Sequence, residues 1–395
     1  MKEKDVRKCY ILPVGPQHPM YVEAENLMVH LDGETIVNVD VNIGYMHRGI
    51  EELMQRRNYI QNIYLAERIC GICSGIHTVT YCQCIENLIG LEIPERAKYI
   101  RTIILELERL HSHFLFFGVM AYEMGLDTVF MYTWKDREAV LDILEMISGN
   151  RVNYGMSAVG GVRRDVPENR IPEMIKKLDY LEKRGQYYAK VFYSDKLIRK
   201  RSVGLGLLPK KLVDKYSIVG PVARASGVKT DVRKDIPYLV YDKIDWNVIV
   251  REEGDVLARI MVKIYEVFES IKILKACLKA LPGLEKTLKV KAPFVIETNE
   301  AVSVTEAPRG ELFYYAVSNG TDKPERLRIR TPSFVNIANS LGILLKGQQL
   351  ADLPIIVASI DPCFSCCDRV TLIDVKSGER KTVDEAHLKR LEERK

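Results

Sequence analysis

The chain has 395 residues, a net charge of +5, and 47% hydrophobic against 28% charged residues, an ordinary composition for a soluble protein able to bury a sizeable core. No apolar run approaches the roughly 18 residues of a membrane span, the charged start Met1–Lys8 does not read as a signal peptide, and no Lys/Arg block interleaved with aromatics speaks for nucleic acid. Nine cysteines are too few and too scattered for a secreted disulfide scaffold, so reduced thiols in a cytoplasmic protein are expected, with any membrane reached through partner subunits.

Strands are expected first. Asn26–Leu31 and Thr35–Ile43 alternate and are β-branched, and Asp32-Gly33 between them is a hairpin turn signal. From Arg48 to Ile69 the apolar spacing is helical and runs into a cysteine pair. Pro94 opens a long helix through Leu110, and a further helix over Asp127–Ser148 is stopped by Gly149-Asn150. Asn153–Asp165 reads as a Gly- and Arg-rich loop. Helices follow over Ile171–Leu197 and Val250–Leu281, the second closed by Pro282-Gly283, while 201–250 carries no clear period. After Pro293 the character is strand and loop (Phe294–Glu297, Leu312–Val317), and a helix over Ser333–Leu345 precedes a second cysteine pair. The expected fold is mainly α with flanking β (α+β). A central long-helix bundle (48–292) lies between strand-rich pieces at 1–47 and 293–369, all in one domain, with a C-terminal extension at 370–395.

The cysteine pairs carry the chemistry. Arg68-Ile69-Cys70-Gly71-Ile72-Cys73 and Asp361-Pro362-Cys363-Phe364-Ser365-Cys366 hold four thiols in two C-x-x-C pairs. A zinc ribbon keeps its pairs roughly 15–20 residues apart. Here roughly 290 residues separate Cys73 from Cys363, so a shared site forms only after a large fold has joined both ends. Thiolates are soft ligands that suit nickel, iron–sulfur, Cu(I) or zinc. His77, one helical turn beyond Cys73, is placed to hydrogen-bond that sulfur. Ser359 offers a hydroxyl near the second pair, and Glu306-Ala307-Pro308-Arg309-Gly310 puts a permanently charged arginine in a tight turn. Cys9, Cys82, Cys84 and Cys277 are scattered and read as small buried hydrophobes.

Taken together, R-I-C-G-I-C-S-G-I-H, E-A-P-R-G and D-P-C-F-S-C-C-D-R resemble the large subunit of a [NiFe]-hydrogenase. Gly15-Pro16-Gln17-His18-Pro19, Gly44-Tyr45-Met46-His47-Arg48-Gly49 and Gly160-Gly161-Val162-Arg163 narrow the resemblance to the membrane-bound, energy-converting group 4, which shares ancestry with the 49 kDa quinone-site subunit of complex I. The likeness spans essentially the whole chain.

The resemblance implies a nickel–iron site. Cys70 and Cys363 match terminal nickel ligands, and Cys73 and Cys366 match the pair bridging nickel and iron, the iron also holding CO and cyanide. Arg309 matches the arginine above the open metal position, with Pro308 and Ser359 lining the diatomic ligands and Asp361 close by. Glu23 matches the carboxylate that exchanges protons with a ligand cysteine, with Glu25 its neighbouring rival, and Glu51 matches a magnesium-binding glutamate of some relatives. Expected partners are a small subunit with a [4Fe–4S] cluster, a ferredoxin-like Fe–S subunit and membrane-embedded ion-translocating subunits. A maturation protease and nickel chaperones are also implied, and the complex would sit on the inner face of the cell membrane. Asp368-Arg369 matches the point where many relatives lose a C-terminal tail, here read as a strand at Val370–Val375, a Ser377-Gly378 turn and a helix from Thr382. Cys367 stands where relatives usually have a non-thiol residue.

Two other readings compete. A complex I-type quinone subunit without metal suits His18, but leaves four thiols without a task. A scaffold with a structural zinc fits the thiol count and explains neither Arg309 nor Glu23.

Overall fold

The computed structural model describes residues 9–367, 370–373 and 380–383. An N-terminal antiparallel sheet orders β1 (Tyr10–Val14), β2 (Asn26–Asp32) and β3 (Thr35–Asn42) in sequence. Two short helices follow, α1 (Ile50–Arg56) and α2 (Tyr59–Glu67), where the periodicity predicts one. The break has a local cause. Asn58 turns extended and caps α2, accepting from the Gln61 N–H at 2.9 Å while the Gln61 side chain accepts from the Asn58 N–H, a capping box that outcompetes helix continuation.

The bundle is built on α3 (Ser74–Ile89), α4 (Glu95–Glu123) and α5 (Asp127–Ser148). Helix α5 has the expected bounds and ends on Gly149 in the left-handed conformation. The expected loop at 153–165 contains a minimal hairpin, β4 (Ser157–Ala158) and β5 (Gly161–Val162), whose backbone is tied to 288–290. Helix α6 (Ile171–Ser194) stops short of Leu197 because Asp195 leaves the helical region to cap α7 (Lys196–Lys200). The unread stretch 201–250 holds three short helices, α8 (Lys210–Lys215), α9 (Pro221–Arg224) and α10 (Val232–Asp235). Then α11 (Val256–Ala280) starts later than expected, at an Asp255 cap, and packs on α4 and α6.

The C-terminal sheet orders β6 (Glu300–Ala307), β7 (Gly310–Ser318) and β8 (Pro324–Arg330). Phe294–Glu297 is not a strand. β8 lay hidden because charged Glu325, Arg326, Arg328 and Arg330 blur its alternation, and β6 because polar Ser303, Thr305 and Glu306 are among its buried residues. Helix α12 (Pro332–Leu344) leads to α13 (Leu353–Ser359), which the sequence reading omitted. The tail pairs β9 (Val370–Ile373) with β10 (Arg380–Val383). Thr382 therefore lies in a strand and not at a helix start, while Arg369 and the Ser377-Gly378 turn lie outside the described residues. One buried apolar cluster runs from Val14 to Cys367 and includes all four motif cysteines. No described helix is long and apolar enough to cross a membrane.

Candidate metal centre

Four elements converge at the middle of α4. The first cysteine loop joins α2 to α3, the second follows α13, and the β6–β7 hairpin brings its tip between them. At that tip Ala307 pairs with Gly310, so Pro308 and Arg309 form a two-residue turn. Gly310 sits at φ 128° and would clash if it carried a Cβ, 2.8 Å from the Gly220 Cα. Only glycine lets the hairpin lie this close to the 219–220 backbone.

Both cysteine pairs are buried and reduced, their sulfurs meeting across 293 residues of sequence. Cys70 and Cys363 Sγ are 3.1 Å apart, Cys73 and Cys366 Sγ 3.9 Å, and Cys363 and Cys366 Sγ 3.2 Å. All four lie within 4.8 Å of one another and form the one group of three or more His, Cys, Asp or Glu so gathered among the described residues. Hydrogen bonding from Cys363 and its neighbours pulls the Cys70 thiol well below its usual range, and the same contacts push Cys73 and Cys366 well above theirs. Four thiolates this close would need cations among them, and soft sulfur donors in that number suit nickel, iron–sulfur, Cu(I) or zinc.

Hydrogen bonds to the backbone hold the quartet. Arg48 donates to the carbonyls of Arg68 (3.0 Å), Ile69 (2.7 Å) and Ser365 (3.0 Å), clasping one loop to the other. The Ser333 hydroxyl accepts from the Cys363 N–H, and the Thr331 hydroxyl donates to the Cys366 carbonyl. His77 does reach a sulfur, though not the expected one. Its Nε2 lies 3.7 Å from Cys366 Sγ, and its Nδ1 is fixed by the Tyr314 hydroxyl at 2.8 Å. Helix α3 turns the ring across the site, away from Cys73.

Arg309 is buried, with Nε on the Asp361 carbonyl (2.8 Å), Nη2 on the Asp361 carboxylate (2.8 Å) and Nη1 on the Ser112 hydroxyl (3.1 Å). Burial opposes its charge, but Asp361 and the cysteines outweigh burial and hold it protonated. Burial likewise works against an ionised Asp361, and Arg309 and Lys263 override it, leaving the carboxyl below its usual range. Lys263, which sequence reasoning missed, meets Asp361 at 2.5 Å from inside α11. A buried lysine in an apolar helix has no sequence signature until its partner is known. One turn earlier, Arg259 donates to the Ser359 hydroxyl at 3.0 Å, and that hydroxyl donates to the Ile356 carbonyl. Pro308 is buried in the same turn as Arg309.

Glu23 is half-buried and accepts from the Ser365 N–H (2.6 Å) and hydroxyl, between the two cysteines of the second pair. It borders a small cavity of about 30 Å3 that Arg309, Asp361, Cys363 and Phe116 also line. It also borders an open cleft formed by 16–24 that includes His18. Glu25 is buried with no hydrogen-bond partner on either oxygen, and burial pushes its pKa up to about 8. Glu51 lines a small pocket that Cys366 also lines, and its oxygens are taken by Arg328 (2.6 Å) and the Ile329 N–H (2.8 Å). Cys82 and Cys84 are buried, their thiols pushed up to about 12 by burial, as inert small hydrophobes are.

Comparison with known proteins agrees with this geometry. Residues 48–148 match the model of the nickel-dependent hydrogenases, and 123–295 and 284–369 match that of the respiratory-chain NADH dehydrogenase 49 kDa subunit. The chain is 42% identical to the membrane-bound hydrogenase subunit alpha of Pyrococcus furiosus, covering 98% of this chain and 93% of that protein. The chain belongs to the group 4 [NiFe]-hydrogenase large-subunit family, kin to the complex I 49 kDa subunit. A carbon monoxide-induced hydrogenase of Rhodospirillum rubrum is 40% identical over 91% of this chain and 99% of its own. Among solved structures, a chain of the membrane-bound sulfane sulfur reductase, an archaeal respiratory membrane complex, superposes with a TM-score of 0.87 at 32% identity, covering 93% of this chain and 100% of that one. The mixed, mainly helical architecture with small flanking sheets is the fold of this family.

Proposed function

We propose that this chain is the catalytic large subunit of a membrane-bound [NiFe]-hydrogenase that forms or oxidises H2. The observation that carries the reading is the buried quartet of sulfurs within 4.8 Å, a donor set that a quinone-binding relative has no use for. In this reading Cys70, Cys73, Cys363 and Cys366 would together hold nickel and an iron carrying CO and cyanide. When bound, these metals supply the redox chemistry of H2.

The chain's own groups supply the rest. Glu23 accepts a proton from a cysteine sulfur and passes it outward, since its carboxylate borders both the inner cavity and the open cleft. Arg309, oriented by Asp361 and Ser112, sets a fixed positive charge facing the cysteines. Phe116, Val119 and Val357 make one wall of the inner cavity apolar. No second cysteine cluster gathers among the described residues, so electrons would leave through the [4Fe–4S] cluster of a small subunit. The names of the relatives support a membrane-bound assembly, in which ion-translocating subunits would be the partners. A magnesium ion at Glu51 would have to displace Arg328.

The alternative is a quinone-site subunit, favoured by the 49 kDa match over 123–369 and by His18 lining the outer cleft. Metal analysis of the purified complex separates the readings. Nickel and iron, with infrared bands of iron-bound CO and cyanide, are expected, and their absence would overturn the hydrogenase assignment.

A further inference from the structure

Helix α3 begins directly at the first cysteine pair, with Cys73 at its N-cap position and no side chain of its own capping it. The first N–H groups of a helix have no intrahelical partner and must be satisfied from elsewhere. Here one residue of another helix does so. Glu108, buried in α4, accepts from the Gly75 N–H at 2.6 Å with Oε1 and from the Ile76 N–H at 2.8 Å with Oε2. No salt bridge to Glu108 exists among the described residues, so its partners are the backbone and the positive end of α3.

The neighbourhood is shaped around this contact. A Cβ at Gly75 would stand 3.1 Å from Glu108 Oε1, 3.2 Å from Ile104 and 3.3 Å from the Tyr154 ring, so the glycine leaves room for the carboxylate. Adjacent residues of α4 hold the rest of the site. Arg109 donates to the carbonyls of Glu306 (2.6 Å) and Ala307 (3.2 Å) in the hairpin below Arg309, and Ser112 meets Arg309 itself. Little more than one turn of α4 thus touches both the first cysteine pair and the arginine hairpin.

We propose that Glu108 is a positioning residue of the metal centre, whose bidentate grip on Gly75 and Ile76 fixes the turn that aims Cys73 at the other three sulfurs. The inference rests on reading the four cysteines as metal ligands, and it is tested without nickel or catalysis. The full chain, purified from cells grown without nickel, is titrated with Co2+, and the sulfur-to-cobalt charge-transfer band reports both affinity and geometry. Glu108→Gln, which keeps one acceptor, weakens Co2+ binding roughly tenfold, and Glu108→Ala weakens it further, in the range that partners of metal ligands usually command. Amide hydrogen exchange at 74–77 speeds up in step, while exchange in α5 and α6 stays unchanged. Gly75→Ala tests the same contact from the other side. Alanine is the better helix former, yet by crowding the carboxylate it also weakens Co2+ binding and shifts the band. Unchanged affinity and band position in Glu108→Gln and Gly75→Ala would overturn the proposal. Finding zinc or no metal in the native complex would instead overturn the hydrogenase assignment, and Glu108 would still stand or fall by the cobalt and exchange data.

Discussion

Arg48 and Ser365 stand 317 residues apart and meet at 3.0 Å, through the same guanidinium nitrogen that binds the Ile69 carbonyl at 2.7 Å. One side chain from the His47-Arg48-Gly49 motif therefore ties the first cysteine loop to the second. Lysine has no planar fork to span three carbonyls. Arg48→Lys should lower stability by about 1–2 kcal/mol, read as a urea midpoint, and should lower metal retention more than stability. Unaltered metal content would show that the two loops find each other without this clasp.

Cys363 lies nearest Cys70 and also contacts Cys366. Serine matches its size, but its hydroxyl stays protonated at neutral pH and is a poor soft donor. Cys363→Ser should leave the helical content intact and reduce nickel, measured by elemental analysis, to background. Retained nickel would remove Cys363 from the ligand set.

Glu23 and Glu25 are two residues apart and occupy opposite situations, one hydrogen-bonded beside the cysteines and the other buried without partners. Glu23→Gln should slow H/D exchange with D2 at least roughly tenfold while leaving the metals in place, and Glu25→Gln should not. Normal exchange in Glu23→Gln would move the proton route elsewhere. Glu25 should instead show itself in stability. Burial raises its folded pKa from 4.5 to about 8, so between those values the folded chain holds a proton that the unfolded chain has lost. Stability therefore falls as pH rises through that window. Glu25→Gln removes the loss and should raise stability at pH 8 by up to about 4 kcal/mol, with no gain below pH 4.5. A lower urea midpoint at pH 8 would contradict this.

Lys263 and Asp361 form a buried pair at 2.5 Å, with the ammonium also 4.5 Å from the Phe116 ring. Removing Asp361 strands the ammonium, and removing Lys263 leaves the carboxylate to Arg309 alone. Lys263→Met should cost about 3 kcal/mol, and adding Asp361→Asn should recover part of it in a double-mutant cycle. Additive losses would mean the two groups do not depend on each other.

The four sulfurs, the arginine turn and the helix bounds of α5 were legible from motif spacing and from Gly and Pro punctuation. Two kinds of feature were not. Local capping overrode periodicity at Asn58 and Asp195, splitting helices that the apolar pattern joins. Contacts made only in three dimensions left no trace in the chain's order. His77 faces Cys366 because α3 rotates it there, and Lys263 and Glu108 are ordinary helix residues until the fold supplies Asp361 and the start of α3.

Because the second thiol pair lies beyond α11 and the whole β6–β8 sheet, a growing polypeptide possesses its entire helical bundle while still lacking half of its donor atoms. The complete quartet therefore exists only after Cys366 has been synthesised.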